Sequence, residues 1–265
     1  MLRVFLSIAF AIVLIALYIK YIESKSVFFP AKNIESYPHD IGISFEDVYV
    51  TTADNIRLNG WFVPSESTTY TILFLHGNGG NISHRLEKLK MLLDCKTNVF
   101  LVDYRGYGKS EGHPSERKVY SDAQTFYDYL IQEKHTPPDK IIIYGESLGT
   151  AVAIDVASRN RIKGIILEGA FSSGKDMARK IYPFIPRFFF SNIFDSMSKI
   201  KKVKAKKLFI HSKNDEIVPY DLARKLYENA LQPKIFVDII GGHNTAFIDS
   251  QDKYISSIKE FIANL

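Results

Sequence analysis

A serine flanked by glycines is the first feature of this sequence with the setting of a reactive group. Ser147 lies in the run GESLG, which follows the apolar residues IIIY and precedes the helical pattern TAVAIDVAS. In a G-x-S-x-G turn between a strand and a helix, the serine hydroxyl projects above the edge of the sheet. Gly145 and Gly149 suit such a tight turn, because larger side chains would clash there. Ser147 is therefore the candidate nucleophile, and a purely structural turn is the alternative.

A serine hydroxyl needs a base, and the base needs an orienting group. Asp215 in HSKNDEIVP and His243 in GGHN each follow a predicted strand, in the order serine, acid, histidine. The carboxyl ends of parallel strands meet at one edge of a sheet, where open α/β sheets hold their ligands. An aspartate that only forms a turn and a solvated loop histidine are the alternatives. Glu168 is the alternative acid, and His211, beside the acid turn, is assigned a structural role.

Acyl transfer also needs hydrogen-bond donors for the negative oxygen that develops in the transition state. One predicted donor is the backbone N–H of Leu148, directly after the candidate nucleophile. The other is expected in the loop HGNGGN, residues 76–81, where the N–H of Asn78 is favoured and that of Gly79 is the alternative. A phosphate-binding loop is the alternative interpretation of these glycines, but HGNGGN lacks the Lys-Ser/Thr ending and the G-x-G-x-x-G spacing of such loops.

The elements that must position these residues follow an alternating pattern. Short apolar runs alternate with amphipathic stretches, which predicts an α/β domain with an eight-stranded, mostly parallel sheet and helices on both faces. The first two strands form an antiparallel hairpin. The predicted strands are Phe45–Thr52, Ile56–Val63, Tyr70–Leu75, Asn98–Asp103, Lys140–Tyr144, Gly164–Leu167, Lys207–His211 and Ile235–Ile240. The predicted helices are Ile82–Leu93, Lys118–Lys134, Leu148–Ser158, Tyr220–Ala230 and Gln251–Phe261.

One long connection, residues 171–206, interrupts this pattern and is predicted to be a short helical lid. It contains IYPFIPRFFFSNIF, and Phe184, Phe188 and Phe189 are the candidate substrate-binding residues, offering an acyl chain an apolar wall. The alternative is a helix pair that only covers the sheet. The lysine-rich run KIKKVKAKK, residues 199–207, follows directly and is expected either to bring the lid to anionic lipid or to be a solvated face.

The N-terminal residues 1–22 are predicted to be a membrane anchor, joined by a linker over 23–44 to a domain over 45–265. Val4–Ile19 contains no charged residue, and a helix continued to Ile22 would be about 28 Å long, close to one bilayer core. A cleaved signal peptide and a buried core helix are the alternatives. Counting lysine and arginine on the two sides slightly favours a single-pass protein with its domain in the cytoplasm, and the membrane face stays open.

The composition of the chain excludes several other classes of protein. The 265 residues carry 34 basic and 29 acidic side chains, a balance that does not argue for nucleic acid as a partner. The single cysteine, Cys95, excludes a disulfide framework and a cysteine-rich zinc site. No metal or cofactor is expected. The sequence leaves the oligomeric state open.

Six stretches together resemble the alpha/beta-hydrolase superfamily, specifically the Bem46-like serine hydrolases that include the alpha/beta-hydrolase domain-containing types 13 and 17. The stretches are FLHGNGGN, FLVDYRGYGKSEGHPSE, IIIYGESLGTAVAIDVAS, GAFSSGKDMA, HSKNDEIVP and GGHN, spread over residues 45–265. The resemblance implies the fold of that superfamily and a catalytic triad of Ser147, Asp215 and His243. It also implies carboxylester or protein thioester hydrolysis, the activities documented in the family.

The chain departs from the family pattern at two positions outside the triad. Ser212 stands where similar proteins usually have glycine, and Lys206 stands where they usually have proline. Ser212 lies close to the acid turn and could alter it. By resemblance, Asp103 and Arg105 in DYRGYG have a structural role.

Together these observations predict a membrane-anchored serine hydrolase that cleaves acyl esters or thioesters through an acyl-enzyme intermediate. The substrate is expected to be an acyl ester or thioester and can be lipid-linked. A peptidase of the same fold and a non-catalytic membrane scaffold are the alternatives. Acyl chain length and leaving group are left open by the sequence.

Overall fold

The computed structural model describes residues 1, 3–7, 10, 14, 18, 26–66, 68–186 and 190–265. Most of the predicted anchor, residues 1–22, therefore lies outside the described residues, as do Phe188 and Phe189. In the described part of the chain, no helix combines the length and the apolar character that crossing a membrane requires.

An eight-stranded sheet forms the centre of the domain and confirms the predicted α/β fold with a mostly parallel sheet. Its strand order is β8-β7-β6-β5-β3-β4-β2-β1; β1 pairs antiparallel with β2, β2 pairs antiparallel with β4, and all other neighbours are parallel. All eight predicted strands are present, each displaced by no more than two residues at either end. The strands are β1 Glu46–Thr51, β2 Arg57–Val63, β3 Tyr70–Leu75, β4 Thr97–Asp103, β5 Ile141–Glu146, β6 Gly164–Glu168, β7 Lys206–Ser212 and β8 Lys234–Ile239.

Helices cover both faces of the sheet because its central strands are apolar on both sides. In β5, Ile141 and Ile143 join one hydrophobic cluster, whereas Ile142 and Tyr144 join the other, so successive side chains enter opposite cores. The first cluster packs against α2, α3, α5 and α6, and the second against α1, α7 and α8. The helices are α1 Leu86–Leu93, α2 Glu116–Gln132, α3 Leu148–Arg159, α4 Gly174–Ile181, α5 Ser196–Ile200, α6 Tyr220–Asn229, α7 Ala246–Asp249 and α8 Gln251–Ala263.

The connection over 171–206 lies between β6 and β7 and contains the helices α4 and α5. Its phenylalanines do not behave alike. Phe190 and Phe194 are buried, whereas 97% of Phe184 is exposed. Phe184 is therefore a surface residue of this connection.

The lysine-rich run over 199–207 lies at the opposite edge of the sheet from the candidate nucleophile. It leads into the amino end of β7, whereas Ser147 follows the carboxyl end of the parallel strand β5. Lys199 forms an ion pair with Asp155 at 2.8 Å, and Lys207 is fully buried. The connection over 171–206 therefore crosses from one edge of the sheet to the other before β7 begins, and contact of the lysine-rich run with anionic lipid stays a prediction.

Candidate active site

The turn around Ser147 is built as the G-x-S-x-G motif predicts. Ser147 has φ 51° and ψ −117°, a left-handed backbone conformation that is strained for a residue with a side chain. A Cβ atom on Gly145 would lie 2.5 Å from the carbonyl oxygen of Gly149, and a Cβ on Gly149 would lie 2.0 Å from that of Leu75. Both glycines are therefore required by the close approach of β3, β5 and α3.

The structure brings Ser147, His243 and Asp215 together in one chain of contacts. Nε2 of His243 lies 3.0 Å from Oγ of Ser147, and Nδ1 of the same ring lies 2.7 Å from Oδ2 of Asp215. Three separate strand ends supply the residues, since Ser147 follows β5, Asp215 follows β7 and His243 follows β8. In this order the imidazole can accept the serine proton while the carboxylate fixes the opposite ring nitrogen.

The carboxylate of Asp215 is held by its own turn. Its Oδ1 accepts hydrogen bonds from the backbone N–H groups of Ile217 at 3.0 Å and Val218 at 2.7 Å, which leaves Oδ2 for His243. Burial opposes the charge on Asp215, but the hydrogen bond and charge of His243 and the Val218 N–H outweigh it and lower the pKa of the carboxyl. Burial likewise opposes the charge on His243, but Asp215 outweighs it and raises the pKa of the imidazole.

His211 occupies the structural position predicted for it. Its Nε2 donates to the carbonyl oxygen of Val218 at 2.9 Å, and the ring is buried. The same nitrogen is 3.7 Å from Oδ2 of Asp215. Burial lowers the pKa of His211, which keeps the ring neutral behind the acid turn. His211 therefore braces the Asp215 turn.

Glu168, the alternative acid, is engaged in a buried network beneath the turn that carries Ser147. Its carboxylate accepts from Nζ of Lys88 at 3.0 and 2.9 Å, from the hydroxyl of Tyr254 at 3.2 Å and from the hydroxyl of Tyr144. Its backbone carbonyl accepts from the N–H of Ser147 at 2.8 Å. Glu168 thus supports the turn through its backbone carbonyl. Its carboxylate is bound by Lys88, Tyr144 and Tyr254, whereas the ring of His243 is bound by Asp215.

The second carboxylate of this network belongs to Glu146, the residue directly before Ser147. Glu146 pairs in register with Glu168 across β5 and β6, and Lys88 lies between the two carboxylates. Arg85 Nε also donates to Glu146 at 2.6 Å. Burial opposes ionisation of Glu146, but the two cations outweigh it and lower the pKa of its carboxyl. Sequence reasoning missed this network, because Lys88 and Arg85 lie on an amphipathic stretch where cations normally face solvent.

An apolar cavity of about 560 Å³ opens beside Ser147. Ser147 and the two predicted oxyanion donors, Asn78 and Leu148, all line it. Of the predicted lid residues, Phe184 is not in its wall, which corrects that assignment, and Phe188 and Phe189 lie outside the described residues. The apolar side chains that form the wall are Val27, Phe171, Met177, Ala178, Ile181, Ile185, Phe190, Ile193, Phe194, Ile217 and Val218.

The contributions of α4 and of Val27 to this wall were not predicted. The amphipathic pattern of α4 could have indicated an apolar face, but which cavity that face lines depends on the fold of the whole connection. No group of histidine, cysteine, aspartate and glutamate side chains suited to holding a metal ion occurs among the residues that the structure describes.

The sheet order and the serine turn at its carboxyl edge define the class of the alpha/beta hydrolases. The sequence pattern of the family described as "Serine aminopeptidase, S33" matches residues 66–198. Protein bem46 of Schizosaccharomyces pombe is 35% identical over 226 residues, which cover 79% of this chain and 75% of that protein. This chain belongs to that alpha/beta-hydrolase family and is a Bem46-like member of it.

Two further proteins resemble this chain, one in sequence and one in fold. An uncharacterized membrane protein of Saccharomyces cerevisiae is 34% identical over 88% of this chain and 84% of its own length. An esterase of Pyrococcus furiosus has the same fold, with a TM-score of 0.74 at 22% identity over 89% of this chain and 98% of its own.

Proposed function

We propose that this protein is a serine hydrolase that cleaves acyl esters or thioesters. The observation that carries the proposal is the continuous chain of contacts from Ser147 Oγ through the His243 ring to Asp215, with distances of 3.0 and 2.7 Å. A lone serine, histidine or aspartate at a strand end has many structural uses. The same three groups in contact, with the serine at the wall of a cavity, match the arrangement that activates a serine nucleophile.

The proposed reaction has two half-reactions. His243 takes the proton of Ser147 as its oxygen attacks the acyl carbonyl, and Asp215 stabilises the resulting imidazolium. The oxygen of the tetrahedral intermediate is bound by the backbone N–H groups of Leu148 and Asn78. His243 then protonates the leaving alcohol or thiol, and an acyl ester remains on Ser147. Water, activated by the same histidine, releases the acid.

The apolar wall of the cavity supports an acyl chain as the bound part of the substrate. Apart from Tyr18, Ser26, Asn78, Ser147 and Tyr182, the described side chains at its surface are hydrocarbon, sulfur or glycine. Each methylene buried there contributes about 0.8 kcal/mol to binding. An apolar wall gives no comparable benefit to a charged group, so the substrate presents its acyl chain to the cavity.

The predicted anchor extends this proposal to a membrane-linked substrate. Val27 lines the cavity and is only five residues beyond the end of the predicted anchor at Ile22. Five residues span at most about 18 Å, so an anchored domain would hold the cavity close to the bilayer. Ile181, Tyr182 and Phe184 are exposed on the connection that walls the cavity. The name of the yeast relative as a membrane protein supports the anchor.

An aminopeptidase is the second candidate, favoured by the description of the matching family. An aminopeptidase must bind a free ammonium group near the scissile bond, which calls for a carboxylate in the cavity wall. Among the described residues that line the cavity, none is acidic. This observation favours the esterase over the aminopeptidase.

Two assays separate these functions. Purified full-length protein is given p-nitrophenyl acyl esters, acyl thioesters and aminoacyl p-nitroanilides, with the Ser147→Ala variant as the control. Hydrolysis of esters or thioesters that is lost in the variant supports the proposal. Hydrolysis of the anilides alone supports the aminopeptidase, and no serine-dependent turnover supports a scaffold. Resistance of the full-length protein to alkaline carbonate extraction tests the anchor.

A further inference from the structure

The loop His76–Gly80, which carries the predicted oxyanion donor Asn78, accepts a hydrogen bond at each of its backbone carbonyl groups. Five successive carbonyl oxygens accept hydrogen bonds, and the donors come from outside the loop in all but one case. The donors, in order from His76 to Gly80, are the Tyr104 hydroxyl (3.1 Å), the His76 ring Nδ1 (2.7 Å), the Phe29 N–H (2.9 Å) with the Tyr107 hydroxyl (2.7 Å), Arg85 Nη2 (3.1 Å) and the Ala31 N–H (3.0 Å).

The exception is the side chain of His76, which bonds to the carbonyl of the very next residue, Gly77. In a trans peptide the C=O of one residue and the N–H of the next point in opposite directions. Holding the carbonyl of Gly77 therefore also fixes the direction of the Asn78 N–H. Gly77 approaches the nucleophile closely, since a Cβ on it would lie 3.4 Å from Cβ of Ser147, and Asn78 lines the cavity there.

The His76 ring is itself held from behind by the turn DYRGYG. Its Nε2 lies 3.1 Å from Oδ1 of Asp103, and both side chains are completely buried. The ring packs against those of Tyr104 and Tyr107, with centroids 4.7 and 5.0 Å away. Asp103 is fixed in turn by the N–H of Ile82, which donates to its Oδ1 at 3.0 Å. The ring therefore has little freedom to rotate away from Gly77.

We infer that His76 is a positioning residue for the oxyanion hole, which orients the Asn78 N–H by holding the Gly77 carbonyl, with Asp103 holding the ring. This inference rests on the proposed function, because it assigns His76 to the acyl-transfer step. It also gives Asp103 a positioning part, because its carboxylate lies against the far side of the His76 ring. His76 does not touch the substrate, and it acts only through the peptide between Gly77 and Asn78.

Two substitutions of His76 separate this role from simple packing. The amide nitrogen of His76→Asn can take the place of Nδ1 and keep the bond to Gly77, whereas that of His76→Gln takes the place of Nε2 and faces Asp103. Both variants lose the ring and its contacts with Tyr104 and Tyr107. If His76 only packs, both variants should lose activity to the same extent. If His76 positions the Asn78 N–H, the asparagine variant alone should keep its activity.

Full-length wild type and variants are compared by kcat and KM for p-nitrophenyl butyrate. Loss of an oxyanion donor lowers kcat by about 10²–10³-fold, so a misdirected donor in His76→Gln is expected to lower kcat by ~10–100-fold with little change in KM. His76→Asn is expected to stay within ~3-fold of the wild type. Tyr107→Phe, which loosens only the next peptide, is the matched control and is expected to keep most of the activity, because Phe29 still holds the Asn78 carbonyl.

Equal losses in the two His76 variants, an unchanged kcat in His76→Gln, or a loss in Tyr107→Phe as large as in His76→Gln would overturn the inference. Crystal structures of the two His76 variants add a readout independent of activity. The Gly77 carbonyl is expected to keep its direction with asparagine and to turn with glutamine. If the wild type hydrolyses no ester, the proposed function fails, and these two structures still decide whether His76 sets the peptide.

Discussion

Replacement of Lys88 by methionine tests the buried network beneath the turn that carries Ser147. The ammonium group of Lys88 contacts Glu146 Oε1 at 2.5 Å and Glu168 Oε2 at 2.9 Å, and its side chain is 4% exposed. Burial opposes this charge, but the two carboxylates outweigh it and raise the pKa of Lys88, which keeps the group cationic. Methionine preserves most of the apolar stem and removes only the charge.

Lys88→Met removes a cationic partner from both carboxylates, but Glu168 is left with weaker remaining partners than Glu146. Glu146 keeps the bond from Arg85, whereas Glu168 retains, within the described part of the chain, only the hydroxyl groups of Tyr144 and Tyr254. Removing one partner of a buried ion pair costs about 3–5 kcal/mol. Because a typical domain is stable by only about 5–15 kcal/mol, we expect a large fall in the free energy of unfolding. The double variant Lys88→Met/Glu168→Gln removes the unpaired charge and is expected to recover at least ~2 kcal/mol.

Urea unfolding of the full-length protein, at one detergent concentration, measures these differences through the fluorescence of the single tryptophan, the buried Trp61. Lys134→Met is the matched control, because Lys134 pairs with Glu46, which is 53% exposed. This surface pair is expected to be worth less than about 1 kcal/mol. A loss below ~1 kcal/mol in Lys88→Met, or no recovery in the double variant, would refute the reasoning.

Three further predictions concern the site itself. The raised pKa of His243 places the acid limb of the kcat/KM profile above the ordinary histidine value of about 6.5, because the base must be neutral. Asp215→Asn is expected to lower both the rate and the midpoint of that limb, and an unmoved midpoint would argue against the pairing of His243 with Asp215. Four extra methylenes at about 0.8 kcal/mol each favour octanoate over butyrate esters by up to ~200-fold. Ala178→Phe, which fills the cavity, is expected to abolish that preference in p-nitrophenyl ester assays. Gly149→Ala, whose Cβ would lie 2.0 Å from the Leu75 carbonyl, is expected to abolish turnover by displacing the serine turn, and full activity would show that the turn tolerates a side chain there.

The strands and the three polar residues at their ends could be predicted because each depends on a short stretch of sequence. Continuous apolar runs such as IIIY suit a strand that is buried on both faces, and the structure contains a strand at each predicted place. Once the sheet is parallel, strand ends must meet at one edge. This rule brought Ser147, Asp215 and His243 together from three distant parts of the chain.

The cavity wall and the buried ions could not be predicted in the same way, because they depend on how distant segments pack. A cluster of phenylalanines in the sequence does not reveal which rings turn inward, and Phe184 is exposed while Phe190 is buried. Lys88 has the spacing of a solvated helical position, yet two glutamates from adjacent strands enclose it. Its burial depends on Glu146 and Glu168 lying in register, which no local pattern records.

The central claim is that His243 activates Ser147 as a nucleophile, and covalent labelling tests it most directly. Full-length protein is treated with a fluorophosphonate, and intact mass and peptide mapping locate the adduct. We expect one adduct, on Ser147, which is absent from Ser147→Ala and forms much more slowly in His243→Ala. An unlabelled wild type, or equally fast labelling of Ser147 without His243, would contradict the account.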